Sequence, residues 1–134
     1  MKKMIQVILV NHNPEIKKEI EKSIVDSGIP CQIKNVLNGG HALLHLFHLH
    51  LHDKVNEAPI LILLNLNTPI VDGLEFLKEY RTLRDFKKEN ICIAIIDNDL
   101  TSIQKAKAES LGCPNFLSAS LFPAFLGGLD TVSI

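Results

Sequence analysis

The sequence predicts an α/β fold in which one parallel sheet is covered by helices on both faces. Five short apolar runs alternate with segments whose apolar residues recur at helical spacing. Strands that alternate with helices in this way, joined by right-handed crossovers, are typical of a parallel sheet. The chain has 134 residues, of which 46% are hydrophobic, which is enough for one domain with its own core. We therefore expect a single domain over residues 1–134.

The first strand is predicted at residues 4–10, an almost continuous apolar run rich in branched side chains. Asn13 and Pro14 predict a helix start, because asparagine caps helices and proline favours their first position. The apolar side of this helix is predicted to comprise Ile16, Ile20, Ile24 and Val25. Gly28 ends it.

The remaining elements follow the same alternation. Strands are predicted at residues 31–37, 58–66, 91–96 and 115–117, and the third of the five strands is the most apolar. Asn38-Gly39 begins a second helix that runs through His52, and Asp72-Gly73 begins a third. The apolar side of the third helix is predicted to comprise Leu74, Phe76, Leu77, Tyr80 and Leu83. A fourth helix covers residues 102–111 before Gly112, and a fifth begins at Leu121.

Composition excludes several classes of protein. The net charge is −1, with 14 basic and 15 acidic residues, so nothing favours a nucleic-acid or anionic-membrane partner. Cys31, Cys92 and Cys113 form no CxxC pair, which argues against a disulfide framework or a zinc knuckle. We expect Cys31 and Cys92 to be small core residues. With no signal peptide and no apolar run of about 20 residues, we expect a cytoplasmic protein without a membrane partner.

Polar residues follow four of the predicted strands. They are Asn11-His12-Asn13, Asn65, Asp97-Asn98-Asp99 and Ser118-Ala119-Ser120. Ligands of parallel sheets bind outside the carboxyl ends of the strands, so these residues form the candidate site. The chain has no glycine-rich phosphate loop and no Ser-His-Asp arrangement, so we do not expect an enzyme.

The stretches VILVNHNPEIKKEI, LNGGHALLHLF, LILLNLNTPIVDGLEFL and AESLGCPNFL follow one another along the chain. In order and spacing they resemble the receiver domain of two-component response regulators, the CheY-like family, over about residues 3–130. The resemblance implies a three-layer (βα)5 flavodoxin-like fold with strand order 2-1-3-4-5. It also implies a role in phosphorelay signal transduction. Because the chain ends at Ile134, right after the predicted fifth helix, we expect no output domain.

The positions that carry the chemistry in receivers hold other residues here. The five changed positions are Asn11, His12, Asn65, Asp97 and Ala119. By the resemblance, the first two replace acids that hold magnesium and the third replaces the phospho-acceptor aspartate. The fourth replaces a Ser/Thr that contacts the phosphoryl group, and the fifth replaces a lysine.

These changes remove the chemistry of phosphorylation. An acyl phosphate forms on an ionised carboxylate, and the side chain of Asn65 is a neutral amide. Magnesium prefers anionic oxygen ligands, so we expect Mg²⁺ binding to be lost and no other cofactor to be bound. His12 is expected to pair with Asp97 and to fill the site internally. The resemblance then implies a pseudo-receiver that binds a histidine kinase, another receiver or an output protein without phosphotransfer. An inert receiver remnant is the alternative.

Two features concern surfaces. By the resemblance, Phe116 occupies the position of the aromatic switch residue on the fifth strand. The alternative is that Phe116 is an ordinary aromatic residue of the hydrophobic core. The apolar residues of LSASLFPAFLGGL leave open a homodimer through the face formed by the fourth helix, fifth strand and fifth helix.

The second helix carries a histidine stripe, defined as His41, His45, His48 and His52. These residues share one arc of the helix, away from Ala42, Leu46 and Leu49, so we expect the stripe to face solvent. Spacings of three and four residues allow two imidazoles to share one metal ion. No carboxylate or thiolate accompanies them, so no metal site is expected. A metal- or pH-responsive module that uses this stripe is the alternative function.

Overall fold

The computed structural model describes residues 4–51, 59–68, 72–83, 91–96, 100–113 and 115–117. Five strands and four helices lie in this described part of the chain. In chain order they are β1 (Ile5–Val10), α1 (Pro14–Ser27), β2 (Cys31–Val36), α2 (Gly39–Leu51), β3 (Ile60–Leu64), α3 (Gly73–Thr82), β4 (Ile91–Ile96), α4 (Ser102–Ser110) and β5 (Phe116–Leu117). All neighbouring strands are parallel, in the order β2-β1-β3-β4-β5. The predicted fold class and strand order are confirmed, and the predicted fifth helix lies outside the described residues.

The sheet has a hydrophobic core on each face. Along β3, Ile60, Ile62 and Leu64 pack into the core beneath α2, α3 and α4. Leu61 and Leu63 pack into the opposite core, where Ile20 and Ile24 of α1 also lie. Because successive side chains of a strand point to opposite faces, a strand buried on both sides must be apolar throughout. This explains the unbroken apolar run at the centre of the sequence.

The predicted helix starts are confirmed by their capping contacts. The Asn13 side chain accepts a hydrogen bond from the Glu15 amide at 2.9 Å, and Asp72 accepts one from the Glu75 amide at 2.9 Å. The Asn38 side chain accepts from the His41 amide at 3.1 Å. Each side chain satisfies a backbone N–H that has no partner inside its helix.

Two predictions about burial were wrong. Val25 is 77% exposed and does not belong to the apolar side of α1, which is formed by the buried Ile20 and Ile24 and the partly buried Ile16. Cys31 and Cys92 are half-buried at the margin of a core, whereas Cys113 is fully buried. Residues at the margin of an apolar face share the sequence spacing of the buried residues. The hydrophobic spacing alone therefore does not distinguish an exposed apolar residue from a buried one.

The ends of several elements also differ from the prediction. β2 ends at Val36, and Leu37 beyond it is 53% exposed. β3 is shorter than residues 58–66, and α4 ends at Ser110 rather than at residue 111. Element ends are set by individual hydrogen bonds, which a hydrophobic pattern does not specify. None of the helices in the described ranges has the length and hydropathy needed to span a membrane.

Gly73 fixes the start of α3 against the end of β3. Its amide donates to the Leu66 carbonyl at 3.2 Å. A Cβ at this position would lie 2.6 Å from Leu66 Cδ2, 2.8 Å from Leu66 Cα and 3.0 Å from the Asn65 carbonyl oxygen. Only glycine allows this approach, so the Asp72-Gly73 pair combines a cap with a close backbone contact. The contact positions the loop that carries the candidate site.

Candidate functional site

The centre of the candidate site is a pair of buried amides at the ends of β1 and β3. Val10 is paired with Leu64 in the ladder, so Asn11 and Asn65 follow side by side. The Asn65 amide N–H donates to the Val10 carbonyl at 3.0 Å. Asn11 is 1% exposed and Asn65 is 6% exposed. The structure thus brings these two predicted site residues together at the edge where parallel sheets bind ligands.

The Asn11 side chain is fully engaged with the loop that follows it. Its Oδ1 accepts a hydrogen bond from the Asn13 amide at 3.0 Å. Its Nδ2 donates to the Asn13 carbonyl at 2.6 Å. An amide suits this arrangement because it offers one acceptor and one donor, whereas an ionised carboxylate only accepts. The loop between β1 and α1 is therefore built around an amide.

The Asn65 side chain closes the loop after β3 in a different way. Its Oδ1 accepts from the Asn67 amide at 2.9 Å, which is a local turn of the kind that Asn and Asp both form. The buried hydroxyl residue Thr68 ends the described part of this loop. Because this contact uses only an acceptor, a carboxylate at position 65 would preserve it.

Gln104 ties this loop to α4, a contact that the sequence analysis missed. Its Nε2 donates to Asn67 Oδ1 at 3.0 Å. Its Oε1 accepts from the Thr101 amide, and its own amide donates to Thr101 Oγ1, both at 3.1 Å. The spacing of Thr101 and Gln104 is a capping-box signature, which agrees with the predicted start of this helix at residue 102. The link to Asn67 spans 37 residues and has no sequence signal.

His12 lines a surface cleft beside the start of α1. The side chain is exposed, and the cleft of about 180 Å³ is lined by Asn11, His12, Asn13, Pro14, Lys17, Asn35 and Leu37. The Asn35 Oδ1 is buried and accepts no hydrogen bond from the part of the chain that the structure describes. A buried hydrogen-bond acceptor without a donor lowers the free energy of unfolding, so we expect the Asn35 side chain to destabilise β2.

The side chains at these strand ends do not fit a magnesium ion. Among the described residues that follow β1, β2 and β3, up to Thr68, none is an acid. The amide oxygens of Asn11 and Asn65 already accept hydrogen bonds. Mg²⁺ binds through carboxylates and water in octahedral geometry. Asp97, its predicted pairing with His12, and Ala119 lie outside the described residues.

A second cavity, of about 340 Å³, lies near the C-terminal ends of α3 and α4, and Tyr80, Cys92 and Cys113 are among its lining residues. Burial raises the pKa of both thiols, and burial together with Cys92 raises the pKa of Tyr80 to about 12. A thiol with a raised pKa is a weak nucleophile at neutral pH, because the thiolate is the reactive form. These cysteines therefore offer no activated nucleophile.

Phe116 lies on β5 and is half-buried against the core beneath α2, α3 and α4. This contact is what a core aromatic makes. The predicted fifth helix, which completes the switch face with α4 and β5, lies outside the described residues.

The histidine stripe faces outward, as predicted. His41 and His48 are exposed and His45 is half-buried, while Ala42, Leu46 and Leu49 are buried. The rings of His45 and His48 are stacked, with centroids 6.4 Å apart and an angle of 18° between their planes. Burial, Lys34 and His48 lower the pKa of His45. No group of three or more metal-ligating side chains exists in the described part of the chain, and His52 lies outside it.

Comparison with known proteins gives a likeness of structure alone. No family model and no curated protein matches the chain. Solved response regulators match over nearly the whole length. The bacteriophytochrome response regulator AtBRR has a TM-score of 0.72 at 19% identity, over 98% of this chain and 95% of its own. The phosphorylated cyanobacterial phytochrome response regulator RcpA has a TM-score of 0.71 at 21% identity, over 97% and 94%.

Chemotaxis protein CheY4 of Vibrio cholerae has a TM-score of 0.65 at 20% identity, over 98% of this chain and 99% of its own. These matches agree with the strand order and with the alternation of strands and helices. The chain has the fold of response-regulator receiver domains.

Proposed function

We propose that this protein is a pseudo-receiver of two-component signalling, which binds protein partners without being phosphorylated. The observation that carries the proposal is Asn65. It lies at the end of the central strand, where the resemblance places the phospho-acceptor, and its side chain accepts from the Asn67 amide. An amide forms no acyl phosphate, because its neutral nitrogen and carbonyl do not act as a carboxylate nucleophile.

The neighbouring amide supports the same proposal. Asn11 takes the place of a magnesium-binding acid by the resemblance, and it both donates to and accepts from the backbone of Asn13. A carboxylate would keep one of these bonds and turn the other into a contact between two oxygens. The amide of Asn11 therefore makes contacts that an acid could not make. This is expected of a loop whose structure depends on the amide, and not of a loop in which an acid was replaced without structural consequence.

The partners of such a module are proteins of the pathway: a histidine kinase, another receiver or an output protein. Gln104 and Asn67 hold the start of α4 against the β3–α3 loop through side chains alone. This link requires neither a phosphoryl group nor a metal ion, so the adjacent surface can be presented constitutively. The proposal includes a cytoplasmic location and no catalytic activity of its own.

The test is treatment of the untagged protein with acetyl phosphate and Mg²⁺, followed by intact-mass spectrometry. We expect no gain of a phosphoryl group. The matched variant Asn65→Asp restores the carboxylate while preserving the contact to Asn67, and we expect it also to remain unmodified, because no acid accompanies it at Asn11 or His12. A phosphorylated wild-type protein would overturn the proposal. Partner capture should be equal with and without acetyl phosphate.

A second candidate function is a metal- or pH-responsive module, and the closeness of the His45 and His48 rings, whose centroids lie 6.4 Å apart, favours it. Neutral imidazoles at this spacing bind zinc, nickel or copper ions. Calorimetry of the untagged protein with zinc at neutral pH tests it, and the absence of a binding heat would remove it.

A further inference from the structure

The cleft beside the start of α1 has few side-chain oxygens that can still accept a hydrogen bond. Asn11 Oδ1 accepts from the Asn13 amide, and Asn13 Oδ1 accepts from the Glu15 amide. Asn35 Oδ1 is buried and accepts from none of the described residues. No Asp or Glu is among the residues that line the cleft. The cleft therefore offers little to a ligand that brings only donors.

The same cleft is rich in donors. Lys17 brings an ammonium group, and His12 brings an imidazole N–H in either protonation state. The Nδ2 groups of Asn13 and Asn35 donate to no residue in the described part of the chain. The Lys17 ammonium lies 3.9 Å from a Glu21 carboxylate oxygen, and both side chains are about half exposed, so this ion pair is weak. A cleft with several donors and no acid favours an anion that accepts hydrogen bonds.

The backbone at the N-terminus of α1 is not the source of this preference. Pro14 has no N–H, and the Glu15 amide donates to the Asn13 side chain. The Lys17 amide donates to the Asn13 carbonyl. The preference for an anion therefore depends on side chains that come from three places: α1, β2 and the loop that carries His12.

Asn35 gives a second, independent observation. Ile33 packs into the core beside α1 and Val36 into the opposite core, so Asn35 lies on the face of β2 that α1 covers. An apolar residue would suit this position, whereas the buried Oδ1 without a donor lowers the free energy of unfolding. A polar residue that destabilises its own strand is expected where binding, and not stability, determines the residue type.

From these groups we propose that the cleft binds the carboxylate of an acidic side chain on a partner protein, which rests on the proposed role as a protein-binding module. The cleft of about 180 Å³ is smaller than the roughly 300 Å³ at which pockets for drug-sized ligands begin, so it suits one side chain of a partner. Leu37 also lines the cleft and is 53% exposed. An apolar neighbour of the acidic residue would cover Leu37, as in the core of a protein interface.

The probe is the acetylated and amidated tripeptide Leu-Glu-Leu, and its matched control is Leu-Gln-Leu, which has nearly the same shape without the charge. Each is titrated into the full, untagged, isotope-labelled chain, and the side-chain amide signals of Asn13 and Asn35 are followed by NMR. We expect saturable shifts of both signals with the glutamate peptide, with a dissociation constant on the order of a few millimolar, and binding of the glutamine peptide weaker by about tenfold. Inorganic phosphate is the third probe and should bind more weakly than the glutamate peptide, because it does not cover Leu37.

Three variants separate binding from folding. Asn35→Val should be at least as stable as the wild type and yet bind the glutamate peptide about tenfold more weakly. Lys17→Gln should also weaken binding by about tenfold, whereas Lys22→Gln removes the same charge from α1 outside the cleft and should change it by less than about twofold.

Binding that is unchanged in Asn35→Val or in Lys17→Gln would overturn the proposal. So would the absence of saturable shifts with the glutamate peptide, equal binding of the glutamine peptide, or tighter binding of inorganic phosphate, which would assign the cleft to a free anion. The acetyl phosphate experiment reports on Asn65 and not on this cleft, so a failure of either proposal is recognised separately.

Discussion

Replacing Asn11 by aspartate tests whether the loop after β1 depends on an amide. The Asn11 side chain is 1% exposed, and its Nδ2 lies 2.6 Å from the Asn13 carbonyl oxygen to which it donates. In Asn11→Asp a carboxylate oxygen takes the place of that nitrogen. The variant loses a hydrogen bond, sets two oxygens against each other and buries an unpaired charge. We expect it to lower the free energy of unfolding by about 3 kcal/mol at neutral pH.

The pH dependence of the lowered free energy of unfolding of Asn11→Asp gives a second measurement. Burial raises the pKa of a carboxyl group in the folded state above its unfolded value. A protonated aspartate again offers a donor to the Asn13 carbonyl, so the variant regains stability as the pH falls. The difference from the wild type should therefore be largest at neutral pH and shrink toward pH ~4.

The measurement is urea unfolding followed by far-ultraviolet circular dichroism, since the chain has no tryptophan. Asn65→Asp is the matched control, because its single contact to Asn67 needs only an acceptor. We expect the control to lose about 1 kcal/mol, less than Asn11→Asp. An Asn11→Asp protein as stable as the wild type at neutral pH, or a control that loses as much, would refute the reasoning.

Four further predictions follow from the described contacts. Asn35→Val removes a buried hydrogen-bond acceptor that has no described donor, and valine suits a strand. The variant should therefore raise the free energy of unfolding, measured with urea, by about 1 kcal/mol, and a lower free energy of unfolding would contradict this. Gly73→Ala should lower the free energy of unfolding by about 2 kcal/mol, because the new Cβ would lie 2.8 Å from the backbone Cα of Leu66, and an unchanged midpoint would show that the loop yields freely. A double-mutant cycle of Asn67→Ala and Gln104→Ala should give a coupling of about 0.5 kcal/mol, whereas additivity would mean no net contribution from this bond. Tyr80, the only tyrosine, should ionise near a pKa of about 12 in an ultraviolet titration, and ionisation near 10 would mean that its ring is not buried.

The fold could be predicted from the sequence because its determinants are local and repeated. The apolar run at β3 indicates a strand buried on both faces, and Asn13, Asn38 and Asp72 cap helices through contacts within three residues. Short-range patterns of this kind repeat from element to element, so they agree on one architecture. Val25 shows the limit, because it fits the helical pattern and is nevertheless exposed.

The sequence by itself determined the residue types at the strand ends, with amides at Asn11 and Asn65, and only the resemblance to receivers led us to propose that Asn65 takes the place of the phospho-acceptor. Only the tertiary structure decided what that amide and its neighbour do. It set Asn11 beside Asn65, engaged both polar atoms of Asn11 with the Asn13 backbone, and joined Gln104 to Asn67 across 37 residues. It also decided which side of α2 is exposed and which histidine rings stack. The physical reason is that residue type fixes the donors and acceptors of a side chain, whereas packing fixes which partners lie within hydrogen-bonding distance.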